Sequence, residues 1–133
     1  MRQKFKRSFN ELKNIVTMTE TVFREQGLEP SLRNVVDLAT EELFVNMVTY
    51  NTESSEDILI EMKPHAVGLE VSLTDYDVER FDPTRAANVD VDAPLSERAP
   101  GGLGLYLVLK MVDSIHYEYR NRQSKITFIV DRK

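Results

Sequence analysis

Apolar positions follow two rhythms along this chain, a helical spacing through most of the first fifty residues and a two-residue alternation in four later stretches. Residues 3–9 alternate weakly, which predicts a first strand with Phe5 and Phe9 turned inward and Arg2, Lys4, Lys6 and Arg7 on its solvent side. Asn10 is placed to cap a helix over about 11–26, with Leu12, Ile15, Val16, Thr19 and Phe23 as its buried stripe and Gly27 ending it. A second helix is predicted from about Ser31 to Tyr50, because Leu32, Val35, Val36, Leu38, Ala39, Leu43 and Met47 recur at helical spacing. The polar run Asn51–Ser55 breaks it.

A hairpin follows. Ile58–Met62 is its first strand, Lys63–Gly68 the turn, and Leu69–Asp75 the second strand. Leu69, Val71 and Leu73 share one face there, and Asp75 continues their row. Residues 78–100 have little periodicity and carry prolines at 83, 94 and 100, the pattern of a lid, a binding loop or disorder. Gly101-Gly102 opens a third helix through about Val112, and Ile115–Arg120 and Lys125–Asp131 form a last hairpin around residues 121–124. No internal repeat or linker is visible, so residues 1–133 read as a single domain. The order of elements predicts an α+β fold: a two-layer α/β sandwich whose mixed, mostly antiparallel sheet carries its helices on one face.

Composition narrows the function classes. Hydrophobic residues make up 41% and charged residues 29%, ordinary for a soluble globular protein. No apolar run approaches the roughly 20 residues of a membrane span, and the polar start lacks a signal-peptide core. Without cysteine there is no disulfide, thiol catalysis or zinc-thiolate site, and a cytoplasmic location is the default expectation. A net charge of −5 argues against direct nucleic-acid binding, which needs clustered Lys and Arg.

Three short constellations carry candidate chemistry. Glu42 and Asn46 are four residues apart and so share a helix face beside the core residues Leu43 and Met47. An amide oxygen there can ligate Mg²⁺, and the carboxylate can accept a proton from a hydroxyl nucleophile. Glu41 projects about 100° away and is expected in solvent. Asp75 ends an inward row, and a buried carboxylate needs a donor partner: an adenine amine, a backbone amide or an arginine. Gly102-Leu103-Gly104 at a helix start gathers free N–H groups and a positive dipole end, suited to phosphate oxygens. Neither a Walker pattern nor a GxGxxG fingerprint is present. His65 and His116 have no metal-ligand spacing, and Met18, Met47, Met62 and Met111 fall on apolar stripes as core residues.

Taken in order, these segments resemble the GHKL ATPase superfamily, or Bergerat fold, and within it the stand-alone anti-sigma factor serine/threonine kinases. Glu41–Tyr50 resembles the N box with its Glu-x3-Asn core, which implies Glu42 as general base and Asn46 as the Mg²⁺ ligand. Asp75 matches the aspartate that meets adenine, and Arg80-Phe81-Asp82-Pro83 resembles the segment that follows it, with one residue more than usual before Phe81. Gly101, Gly102, Leu103, Gly104 and Leu105 match the second glycine box, residues 84–100 would be the ATP lid, and Thr127 would support the adenine site. The resemblance implies ATP or ADP with Mg²⁺ as ligands and a STAS-domain anti-sigma antagonist as protein partner. It also admits a sigma factor and a homodimer.

One departure divides two functional readings. The family's first glycine box reads Asp-x-Gly, and this chain has Asp75-Tyr76-Asp77. The first reading is a kinase that phosphorylates a serine or threonine of its partner. The alternative is a non-catalytic GHKL-fold binding module, in which a charged side chain at Asp77 crowds the nucleotide or bends the strand end. A sensor histidine kinase fits poorly, because His65 lies in a turn and His116 on a strand face.

Overall fold

The computed structural model describes residues 1–66, 68–80 and 102–131. Its elements are β1 (Arg2–Phe5), α1 (Leu12–Gln26), α2 (Arg33–Tyr50), β2 (Ile58–His65), β3 (Gly68–Tyr76), α3 (Gly102–Met111), β4 (Ser114–Arg120) and β5 (Gln123–Asp131). The five strands form one sheet in the order β1-β2-β3-β5-β4. Every pairing is antiparallel, so the α+β sandwich is as expected but its sheet is not mixed.

Strand alternation divides the sheet into two unlike faces. Ile58, Ile60 and Met62 of β2, Leu69, Val71 and Leu73 of β3, and Ile126, Phe128 and Val130 of β5 point to one side, where they join a core with Ile15, Met18, Val22 and Phe23 of α1, Val36, Leu43, Phe44 and Met47 of α2, and Leu105 and Val108 of α3. The opposite face carries Glu61, Glu70, Ser72, Thr74, Lys125, Thr127, His116 and Glu118 at alternating register positions and has no helix among the described residues.

The first ten residues depart from the expected strand. β1 ends at Phe5, whose ring meets Phe44 edge to face at 6.4 Å between centroids. The chain then turns, with the Ser8 N–H donating to the Lys6 carbonyl. Ser8, rather than Asn10, caps a 3-10 turn over Phe9–Glu11 that leads into α1. The turn places Phe9 in solvent, 54% exposed, and turns Arg7 inward, against the expectation for both. Val16 is exposed as well, and Met18 and Val22 take the buried stripe with Thr19, whose hydroxyl donates to the Ile15 carbonyl. Met111 is exposed at the end of α3. Gly27 ends α1 in the left-handed conformation as expected (φ 60°).

The last hairpin is tighter than predicted. Arg120 pairs with Gln123, so Asn121 and Arg122 alone make the turn, both at positive φ (53° and 60°) as a type I′ turn requires. Residues 81–101, which include the predicted lid, the Phe81-Asp82-Pro83 segment and Gly101, lie outside the described residues.

Truncating Phe44, fully buried under β1, is expected to cost about 3–5 kcal/mol of folding stability as Phe44→Ala, read by chemical denaturation.

Candidate functional site

The site lies along α2, the end of β3 and the start of α3. α2 buries Leu43 and Met47 against the sheet, which leaves Glu42 and Asn46 at the border of the core one helical turn apart. Asn46 is buried, Glu42 is half-buried, and Glu41 is exposed as expected. Across from α2, the first turn of α3 contains Gly102, Leu103 and Gly104, with Leu105 buried behind it. The Glu42 carboxylate packs directly on Gly104: a Cβ added there would lie 2.5 Å from the carboxyl carbon. Glycine at 104 is therefore what lets the α2 carboxylate reach the N–H-bearing end of α3.

Burial, and secondarily the neighbouring charge of Glu41, holds the Glu42 carboxyl above its ordinary range. The folded state thus disfavours ionised Glu42, and the loss of stability grows as pH rises through this carboxyl's titration. Among the described residues no cluster of three or more His, Cys, Asp or Glu side chains forms a metal site. A divalent cation held here would rest on the Asn46 amide oxygen and on ligand oxygens, a donor set suited to Mg²⁺.

The other end of the site is built around Asp75, which is fully buried. Its position on the inward row of β3 is as expected. One carboxylate oxygen pairs with Arg7 Nη2, and the other accepts a 2.7 Å hydrogen bond from Asn51 Nδ2. Arg7 also reaches the Met47 carbonyl in the last turn of α2, through Nη1 at 3.4 Å, where a cation complements the helix dipole. Desolvation lowers the Arg7 pKa, an effect opposed by Glu53 and Asp57. Of the donors the sequence allowed for Asp75, an arginine fills the role.

Thr127 is not brought to this end. It pairs with Ser72 and His116 on the open face, because strand alternation puts it opposite in sense to Asp75. The cross-strand neighbour of Asp75 is Ser124, which is buried on the inward face. Counting in twos back from Phe128 reaches Ser124, whereas no short-range pattern joins Arg7 or Asn51 to Asp75.

Asp77 stands in the left-handed backbone region (φ 58°), which aspartate tolerates better than most residues. Its side chain turns toward the last hairpin, where its Oδ1 meets Arg122 Nε at 2.9 Å in an exposed ion pair. The hairpin also fixes the next residue, since the Val78 N–H donates to the Arg122 carbonyl and the Tyr119 hydroxyl donates to the Val78 carbonyl. The strand end is therefore held in shape.

A family model for the histidine kinase-like ATPase domain matches residues 5–130. The chain belongs to that family. Two solved structures share the fold of this histidine kinase-like ATPase domain. The SiaB-SiaC complex from Pseudomonas aeruginosa matches with a TM-score of 0.68 and 17% identity, over 98% of this chain and 88% of that one. The structure of the RsbU and RsbW domains of Rv1364c from Mycobacterium tuberculosis matches with a TM-score of 0.67 and 13% identity, over 98% of this chain. This chain spans 32% of the length of that longer chain. No curated protein sequence matches. Among the described residues no helix is long and apolar enough to cross a membrane.

Two outcomes are expected from this geometry. Glu42→Gln raises the melting temperature at pH 7, and the gain disappears as the pH falls below about 4, where glutamate itself is protonated. Asp77→Gly relieves a left-handed backbone at the loss of one exposed ion pair, so its thermal melting stays at or slightly above that of the parent.

Proposed function

We propose that this chain is an anti-sigma-factor-type serine/threonine kinase that binds Mg-ATP and phosphorylates a STAS-domain antagonist, regulating transcription by partner switching. The observation that carries the reading is the Glu42 carboxylate lying on Gly104 at the start of α3, with Asn46 one turn along α2. Membership of the histidine kinase-like ATPase family supports nucleotide as the ligand. The structural neighbours, one in complex with a second protein and one a chain with an RsbW domain, support a role in protein partnership.

In this mechanism ATP with Mg²⁺ supplies the transferable γ-phosphoryl group and the cation that neutralises its oxygens. Asn46 would offer the amide oxygen for the cation, and the N–H groups in the first turn of α3 (Gly102, Leu103, Gly104 and Leu105), with Gly101 before it in sequence, would receive phosphate oxygens. Asp75 would accept from the adenine amine. Glu42 takes the proton of the attacking serine or threonine hydroxyl as the phosphoryl group moves to that oxygen and ADP leaves. A carboxyl pKa raised by burial makes Glu42 a stronger base than an exposed glutamate. The protein works in the cytoplasm and contacts its partners rather than nucleic acid.

A second reading, a non-catalytic binding module, is favoured by one observation: Asp75 already has internal partners for both of its oxygens. Calorimetric titration separates the two. The kinase reading expects Mg-dependent ATP and ADP binding that Asn46→Ala weakens. It also expects Glu42→Gln to slow phosphorylation of a purified STAS-domain partner by about 10²–10⁴-fold with nucleotide binding retained. Absence of binding at millimolar nucleotide, with partner capture intact, would leave the binding module. Phosphorylation unchanged in both variants would remove Glu42 and Asn46 from their roles.

A further inference from the structure

The turn after β1 is a compact unit that delivers one side chain. The Lys6 carbonyl accepts from Ser8, the Lys6 N–H donates to Glu11 Oε2 at 2.8 Å, and Asn14 Nδ2 donates to Glu11 Oε1 at 2.7 Å. Phe5, immediately before it, is anchored in the core. The backbone is thus held on both sides, and Arg7 projects from it across the end of α2 onto Asp75.

The contact covers the carboxylate and is itself incompletely satisfied. Asp75 has no exposed surface, and the Arg7 side chain is 12% exposed. Arg7 Nε is buried with no hydrogen-bond partner. A permanent structural arginine normally has its donors engaged, because an orphaned buried donor opposes the closed state. The charges of Glu53 and Asp57, in the loop between α2 and β2, also act on the guanidinium.

We propose that Arg7 is a latch on the nucleobase end of the cleft: its ion pair with Asp75 closes that carboxylate to ligand, and a base engages Asp75 only as the guanidinium moves outward. This rests on the reading of Asp75 as the base-facing residue. The phosphate end, at Asn46 and the start of α3, lies outside the latch. Nucleotide affinity is then lowered by the fraction of molecules that are latched.

The test compares the wild type with Arg7→Gln, which keeps a neutral donor for Asp75, using titrations of Mg-ADP and of Mg-tripolyphosphate, a ligand without a base. The latch predicts that Arg7→Gln binds Mg-ADP about tenfold or more tightly, as for a closed state favoured ten to one, with no gain for tripolyphosphate. Unchanged or weaker Mg-ADP binding by a folded Arg7→Gln overturns the latch while leaving the kinase reading intact if the wild type binds. Binding by Arg7→Gln alone upholds the latch and counts against a constitutively active kinase. Binding by neither overturns both. Should the variant fail to fold, the wild type decides: the Arg7 Nε–H resonance shifts on saturation with Mg-ADP if the latch opens, and an unchanged resonance, or no saturation, overturns it.

Discussion

A charged carboxylate without solvent exposure, at the end of the middle strand, sets the terms for the rest of this structure. β3 lies between β2 and β5, so the inward row that buries Leu69, Val71 and Leu73 buries Asp75 as well. An unpaired carboxylate there would be prohibitive, and removal of one partner from a buried pair typically costs about 3–5 kcal/mol. The chain meets this demand from two distant places, Arg7 after β1 and Asn51 after α2. Those contacts tie the N-terminal turn, the end of α2 and the central strand together, and they explain why the basic start of the chain is not simply a solvated strand face.

The two ends of the candidate site stand in opposite electrostatic conditions. At the α3 end, Glu42 is half-buried beside Glu41 and is not fully compensated, which is why its carboxyl is held above the ordinary range. A carboxylate in that state favours the arrival of cations and of protons. At the Asp75 end the negative charge is already neutralised by Arg7. Asp77, the residue that breaks the first glycine box, contributes to neither condition. It adopts a left-handed backbone and directs its charge to Arg122 at the surface. The charge that divides the two functional readings is thus paired at the surface with Arg122.

Much of the architecture was legible from local pattern. α2, the β2–β3 hairpin, α3 and the inward position of Asp75 follow from periods of 3.6 and 2, and the stop at Gly27 from its tolerance of positive φ. Misreadings arose where a local rule competed with a turn or a register. Phe9 fits a strand alternation that Ser8 ends by capping a 3-10 turn. Val16 fits a helical stripe, yet Met18 and Val22 face the sheet more directly. Thr127 sits in a plausible strand three residues from Ser124, but an odd offset in a strand always reaches the opposite face.

By itself the sequence determined which segments are helices and strands, and it placed Glu42 beside Asn46, because both depend on spacing within a few residues. The tertiary structure alone decided that Arg7 and Asn51 meet Asp75, that Ser124 rather than Thr127 adjoins it, and that Glu42 rests on Gly104. These pairings join residues 24 to 68 positions apart, or 62 for Glu42 and Gly104. No short-range preference encodes them; they are set by sheet register, by the exit of the chain from β1, and by the need to neutralise a charge that the fold has removed from water.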